Sequence, residues 1–148
     1  MSSKLANFSI STNPNDLDFE VIYEFISQSY WAQGIPRETM QKAMDNSLCF
    51  GVLKQQDELT DLVGFARVIT DRATFAYLGD VFVKPSEQGQ GLSKMLMQAV
   101  SEHSELQGIR RFMLATKDAH GLYNQFGFTA VDNPEILMQI NKPNIYQE

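Results

Sequence analysis

Four groups of residues have types and spacings that can do chemistry. The first is Gln88-Gly89-Gln90-Gly91-Leu92-Ser93, which follows the β-rich run Leu78–Val83 and opens an apolar-periodic segment. Glycines at this spacing let a chain turn tightly and bring its backbone close to a ligand. The first amides of the following helix have no internal partners, and the helix dipole adds positive potential there. Together these make a seat for a phosphate or pyrophosphate. Gly-Xaa-Gly alone also describes a plain turn before a helix. No Gly-Lys-Ser/Thr follows, as a P-loop needs, and the third glycine of the dinucleotide fingerprint is missing.

The second group is Tyr123 with its successors Asn124-Gln125-Phe126-Gly127-Phe128. A tyrosine here reads on its own as a half-buried packing residue. Asp80, third, is either a structural carboxylate accepting backbone hydrogen bonds or a proton acceptor. Its neighbour Gly79 is consistent with a bulge that opens the strand. Tyr30 and Trp31, fourth, stand next to Gly34 in a segment without helical pattern. They serve as core aromatics or as walls of an acceptor pocket. Other candidates have plainer readings. Asp118 reads as a helix cap, His120 and His103 as surface or packing histidines, and Cys49 as a buried small hydrophobe between Leu48 and Phe50.

These groups need a frame. Phe8–Ser11 reads as a strand; Asn15 or Asp16 caps a helix carrying Leu17, Val21, Ile22, Phe25 and Ile26 on one face. Ser29–Ile35 is a loop, Pro36 begins a helix over Arg37–Asp45, and Ser47–Lys54 and Leu62–Thr70 form a hairpin with the longer loop Gln55–Asp61. After a turn at Asp71–Ala73 the strand Thr74–Val83 leads through the glycine loop into an amphipathic helix, Gly91–Ser104. Arg111–Thr116 is a strand and Ala119–Gln125 a short helix, and Phe126–Val131 and Glu135–Asn141 are the expected closing strands. The strand–helix–strand unit over residues 75–116 predicts a right-handed parallel crossover, hence an α/β chain with a mixed sheet.

Composition sets outer bounds. One domain is expected from 148 residues, 43% hydrophobic and 20% charged. The net charge of -6 argues against nucleic acid as the main partner, since phosphate contacts need a basic face. No apolar run spans a bilayer and Met1–Ile10 lacks a leader pattern, so no membrane partner is expected. A lone Cys49 makes a cytoplasmic address the default.

The glycine segment resembles the pyrophosphate-binding motif of the GNAT acetyltransferase superfamily, Gln/Arg-x-x-Gly-x-Gly/Ala. Gln88 and Gly91 fall on its first and central positions, and Ser93 stands where Gly or Ala is usual. Tyr123 through Gly127-Phe128 is similar to that superfamily's Tyr-x-x-x-Gly-Phe segment. The resemblance implies a twisted mixed sheet with helices on both faces, filled by one domain over residues 1–148. It implies acetyl-CoA as co-substrate, with no metal. Val81, Phe82 and Val83 would meet the pantetheine arm, and Gln88, Gly89, Gln90, Gly91, Leu92 and Ser93 the pyrophosphate. A backbone amide near Phe82 would bond the thioester oxygen. Tyr123 and Asp80 would be the catalytic pair, and Tyr30 and Trp31 would bind the acceptor. The implied activity is acetyl transfer to an amine of a small molecule or peptide by direct attack. A transferase of another acyl group, or a CoA-binding module without turnover, is the alternative. A homodimer stays open. Where many family members carry glutamate, this chain has Gly79.

Overall fold

A computed structural model describes residues 5–147 of the chain. Five strands lie in one sheet in sequence order: β1 Phe8–Ser11, β2 Leu48–Gln56, β3 Leu59–Thr70, β4 Phe75–Val83 and β5 Arg111–Leu114. Neighbours are antiparallel from β1 to β4, and β4–β5 is parallel. The mixed sheet is as expected. The helices are α1 Phe19–Ile26, α2 Arg37–Asp45, α3 Leu92–Glu102 and α4 His120–Asn124.

Two apolar clusters fill the two faces of the sheet. Leu92, Leu96, Met97 and Val100 of α3 pack on Phe50, Val52, Ala66, Val68, Ala76 and Leu78. Ile22 and Ile26 of α1 and Met40 of α2 pack on Cys49, Phe65 and Phe82. The alternation of side chains along each strand therefore sends one set to α3 and the other to α1 and α2. Each such aliphatic side chain, fully withdrawn from water, contributes about 1.5–3 kcal/mol. Helices on both faces follow directly.

Local chemistry adjusts several expected boundaries. The cap of α1 is Asp18, which accepts hydrogen bonds from the amides of Glu20 and Val21; Asn15 and Asp16 belong to a preceding 3-10 turn. The β2–β3 hairpin closes at Asp57 and Glu58, far tighter than a Gln55–Asp61 loop, and Asp57 adopts a left-handed φ of 57°. Aspartate tolerates that region better than most residues. Among the described residues the expected closing strands do not form: none C-terminal to β5 joins the sheet, and every residue from 129 to 145 is exposed. Strand propensity there is not met by pairing, and propensity without pairing makes no strand.

Candidate active site

The site is built by an irregularity in β4. Phe65 pairs with Phe82, but Arg67 pairs with Gly79, so β4 holds one residue more than β3 in this interval. That is a β-bulge, and Asp80 within it has a left-handed φ of 54°. Gly79, the expected bulge residue, is not in that conformation. A one-residue insertion reverses which face each later side chain meets. Ala76 and Leu78 face α3, whereas past the bulge Val81 and Val83 take that side and Phe82 turns to α1. There the Phe82 ring stacks on Phe25 with centroids 4.1 Å apart.

The other edge of β4 changes at the same point. β5 pairs with Phe75 through Leu78 and no further. From Gly79 to Val83 the strand is bonded only to β3, and its second edge faces a cleft. A cavity of about 640 Å³ occupies that cleft, and Val81, Phe82, Val83, Gln88, Ser93, Tyr30, Trp31 and Tyr123 all line it. The sequence scattered these residues over nearly a hundred positions, and the fold brings them to one wall.

Beside it lies a smaller hollow of about 170 Å³, lined by Val83, Glu87, Gln88, Gly89, Gly91, Leu92 and Ser93. Gly91 is the N-cap of α3 at a φ of 90°, and no side chain caps the first turn. Gly89 has a φ of 84°, and a Cβ at either glycine would meet nothing within 4 Å. The glycines thus supply left-handed turns and an open approach to uncapped amides. Gln88 Nε2 donates to the carbonyl of Val83 at 3.1 Å, which ties the loop to the end of β4. Glu87, also in that lining, is paired with Lys54 at 2.9 Å, a bond that lowers its carboxyl pKa, and its other oxygen accepts from Gln90 Nε2 at 2.9 Å. A phosphate group fits this donor set: open amides, small residues and no unpaired acid aimed at it.

Tyr123 is buried within α4, and Phe128 holds it from behind. The Phe128 ring stands edge-on to Tyr123 at 6.0 Å and to Phe112 of β5 at 5.3 Å. Gly127 turns the chain between them with a φ of 93°. Burial, and then the negative charge of Asp118, push the phenol pKa above its ordinary value. The hydroxyl therefore keeps its proton throughout the neutral range and can act as a donor.

Asp80 does not line the cavity. Its Oδ1 accepts from the indole Nε1 of Trp31 at 2.7 Å and its Oδ2 from Nε of Arg67 at 2.7 Å. The carboxylate is only 7% exposed, and Arg67 also donates to Ser47 Oγ at 3.1 Å. Asp80 thus bridges β3, the bulge and the Trp31 loop. Arg67 was invisible to sequence reasoning, because its partner lies thirteen residues away across a hairpin. Asp118 corrects another expectation: α4 has no side-chain cap, and Asp118 lines the cavity instead. Lys117 stacks its ammonium over Tyr30, 4.5 Å from the ring centroid. His120 opens α4 and is no part of either lining. Burial raises the Cys49 thiol to about 12, so it stays protonated and inert at neutral pH.

Known proteins are similar to this chain in sequence and in fold. The family model described as "Acetyltransferase (GNAT) family" matches residues 17–128. A provisionally named acetyltransferase of Gibberella zeae is 31% identical over 138 residues, covering 80% of this chain and 77% of that protein. A crystal structure from Xanthomonas campestris pv. campestris, provisionally assigned as a GNAT-family acetyltransferase, superposes with a TM-score of 0.88 at 50% identity. That match covers 95% of this chain and 97% of the other. A predicted acetyltransferase of Clostridium acetobutylicum, crystallised with acetyl-CoA, shares the fold at a TM-score of 0.62 and 12% identity, covering 91% of this chain and 95% of that one.

Proposed function

The chain belongs to the acetyltransferase (GNAT) family, enzymes that transfer an acyl group from acetyl-CoA, and on that premise we propose that it acetylates an amine by direct attack on the thioester. The observation that carries this reading is the shared lining of one cleft by the open half of β4, the glycine hollow's Gln88 and Ser93, and Tyr123. Gly89, Gln90, Gly91 and Leu92 complete the pyrophosphate seat at the start of α3. The edge of Val81–Val83 offers unpaired backbone groups to an extended pantetheine arm, as an edge strand receives a peptide. An amide beside Phe82 stabilises the oxygen of the thioester as it gains charge.

In the step itself the amine nitrogen forms a bond to the acetyl carbon and the carbon–sulfur bond breaks. The thiolate leaves into the reach of Tyr123. With its pKa raised, Tyr123 is a poor full acid toward a thiolate of ordinary pKa near 8.5, and its role is to hydrogen-bond the departing sulfur. Direct attack is favoured over a covalent acyl-enzyme because the single cysteine is buried, protonated and outside the cleft.

Asp80 takes a positioning role in this scheme rather than that of proton acceptor. Both of its oxygens already receive donors, and one of those donors holds Trp31 at the cavity wall. Tyr30 stands edge-on to Trp31 at 5.1 Å, and these two aromatics with Asp118 form the acceptor end. A cationic amine fits aromatic faces beside a carboxylate. The amine, with an ordinary pKa near 10.4, gives up its ammonium proton to water in the open cleft before attack, and the N–H proton released as the amide forms passes through that water to the departing thiolate.

The test is release of free CoA thiol from acetyl-CoA across a panel of amines and peptides, with Tyr123→Phe as the control. Amine-dependent thiol release that falls in the variant supports acetyl transfer at this site. A protein that binds acetyl-CoA yet releases thiol with no member of a broad panel is a CoA-binding module instead.

A further inference from the structure

Two opposite charges stand next to each other in sequence at the acceptor end, and neither is paired within the protein. The ion pairs among the described residues are Arg37–Glu20, Lys54–Glu87, Arg67–Asp80 and Arg72–Glu105, which leave out both Lys117 and Asp118. Asp118 is not drawn back onto the backbone, because Thr116 Oγ1 already accepts from the Ala119 amide at 3.0 Å. It lines the cavity with Tyr123, whose phenol responds to its charge.

Lys117 is held elsewhere. Its ammonium sits 4.5 Å from the centroid of Tyr30, a residue 70% exposed where Tyr123 is 8% exposed. Tyr30 is braced edge-on against Trp31 at 5.1 Å, and the Trp31 indole is fixed by its 2.7 Å hydrogen bond to Asp80. This frame keeps a cation at the solvent side of the cavity, opposite in sign to the carboxylate beside Tyr123. Phe25, Trp31 and Leu122 add apolar walls.

Such an arrangement discriminates among amines. An ammonium group suits Asp118, and a short hydrocarbon chain suits the walls. The aromatic face of Tyr30 already carries the Lys117 ammonium, so the second ammonium of a diamine arriving there meets like charge. An uncharged tail leaves the lysine as it was. A carboxylate or phosphate instead forms a charge-assisted hydrogen bond with it.

We propose that the acceptor is an amine joined by a short apolar chain to an anionic group, with the amine end received at Asp118 and the anion on Lys117. Lys117 is then a specificity-determining residue that touches none of the reacting atoms. The inference rests on the acetyl-transfer reading for the fate of the amine, but its recognition is tested by binding alone.

Trp31 is the single tryptophan of the chain, so its fluorescence reports occupancy of this end without turnover. In the presence of CoA, the protein is titrated with 5-aminopentanoate, 5-aminopentyl phosphate, pentylamine and 1,5-diaminopentane. These share a chain and an amine and differ in the far group. β-Alanine, propylamine and 1,3-diaminopropane repeat the comparison at a shorter length. The wild type is expected to bind an anionic member about 10-fold more tightly than its neutral and dicationic counterparts. The carboxylate and phosphate arms decide which anion is preferred. Lys117→Arg should keep this preference, Lys117→Met should lose it and Lys117→Glu should turn it toward the diamine, each with a native circular dichroism spectrum. Equal affinities in the wild type, or no saturable change with any anionic member, overturn the proposal, whatever the variants do. A folded Lys117→Met that keeps the preference also overturns it, and so does one that loses CoA affinity instead, which would assign the cation to the donor. Thiol release from acetyl-CoA with the same amines separates the two readings. Release with pentylamine as efficient as with 5-aminopentanoate and β-alanine leaves acetyl transfer standing and overturns the acceptor class. Absence of release with every amine overturns acetyl transfer, and with it the acceptor role of any anion-bearing amine that binds.

Discussion

The two halves of β4 are made from the same strand and do opposite work. Phe75–Leu78 is paired on both edges, to β3 and to β5, and its inward side chains Ala76 and Leu78 are sealed under α3. Gly79–Val83 is paired on one edge only, begins with a bulge at a left-handed aspartate, and sends Val81, Phe82 and Val83 to the wall of a cavity. The closed half uses its backbone for the sheet. The open half keeps its backbone for a ligand, and the rigid sheet behind it holds the open groups in place. A site of this kind costs paired hydrogen bonds and a strained φ, and the closed half, with the clusters around it, offsets that cost.

That division is best broken from the glycine hollow that extends the open half. Gly91→Glu puts a side chain on a left-handed residue and a carboxylate where a phosphate approaches. Acetyl-CoA affinity is expected to fall at least ~100-fold, about 2.7 kcal/mol, by isothermal titration of a protein with native circular dichroism. An affinity within threefold of wild type would detach the hollow from the site. The closed half should respond in the opposite way. Leu78→Ala leaves a cavity under α3 and is expected to lower unfolding stability by about 2–5 kcal/mol in urea titration, with acetyl-CoA affinity of the folded protein kept.

Tyr123→Phe comes next in size. It removes one hydroxyl and little volume, so affinity should hold while turnover falls roughly 10- to 100-fold where chemistry limits the rate. Because burial raises the Tyr123 pKa, its proton is retained as pH rises through the neutral range. An alkaline loss of turnover below about pH 10, where tyrosine ordinarily titrates, should therefore persist in the Phe variant. If that loss disappears with the hydroxyl, Tyr123 ionises below its ordinary value and the upward shift assigned to burial is wrong. The smallest effect belongs to the bulge. Asp80→Asn keeps a group that can accept from Trp31 but weakens its hold on Arg67. The acceptor KM should rise about 3- to 10-fold, with the acidic limb of the pH–rate profile still present, an estimate that follows from one weakened hydrogen bond. Loss of that limb in Asp80→Asn alone would make Asp80 the base after all.

The sequence was legible wherever a residue's own backbone demand named its place. Gly91 and Gly127 sit at left-handed positions that only glycine adopts freely; the loop around Gly91 surfaced on that ground, and the segment ending in Gly127 by its resemblance to a family motif. The apolar rows of α1 and α3 were equally plain from their periodicity. What stayed hidden depended on partners distant in sequence. The Asp80 bulge shows only against the register of β3, and Arg67 is named only once that register is known. Asp118 reads as a cap until α4 starts at His120, and then it is free to face the cavity. Residues 135–141 have the alternation of a strand, and periodicity alone carried no word on whether they pair.

The central claim is that the uncapped amides after Gly91 seat the pyrophosphate that anchors the acyl donor. Its most direct test is the binding of acetyl-CoA compared with S-acetylpantetheine, which carries the same thioester and arm without the phosphates. Wild-type protein should prefer acetyl-CoA by at least ~100-fold in titration calorimetry, and Gly91→Glu should lose most of that preference. Equal affinities for the two ligands in the wild type, or a preference that Gly91→Glu leaves intact, would contradict the account.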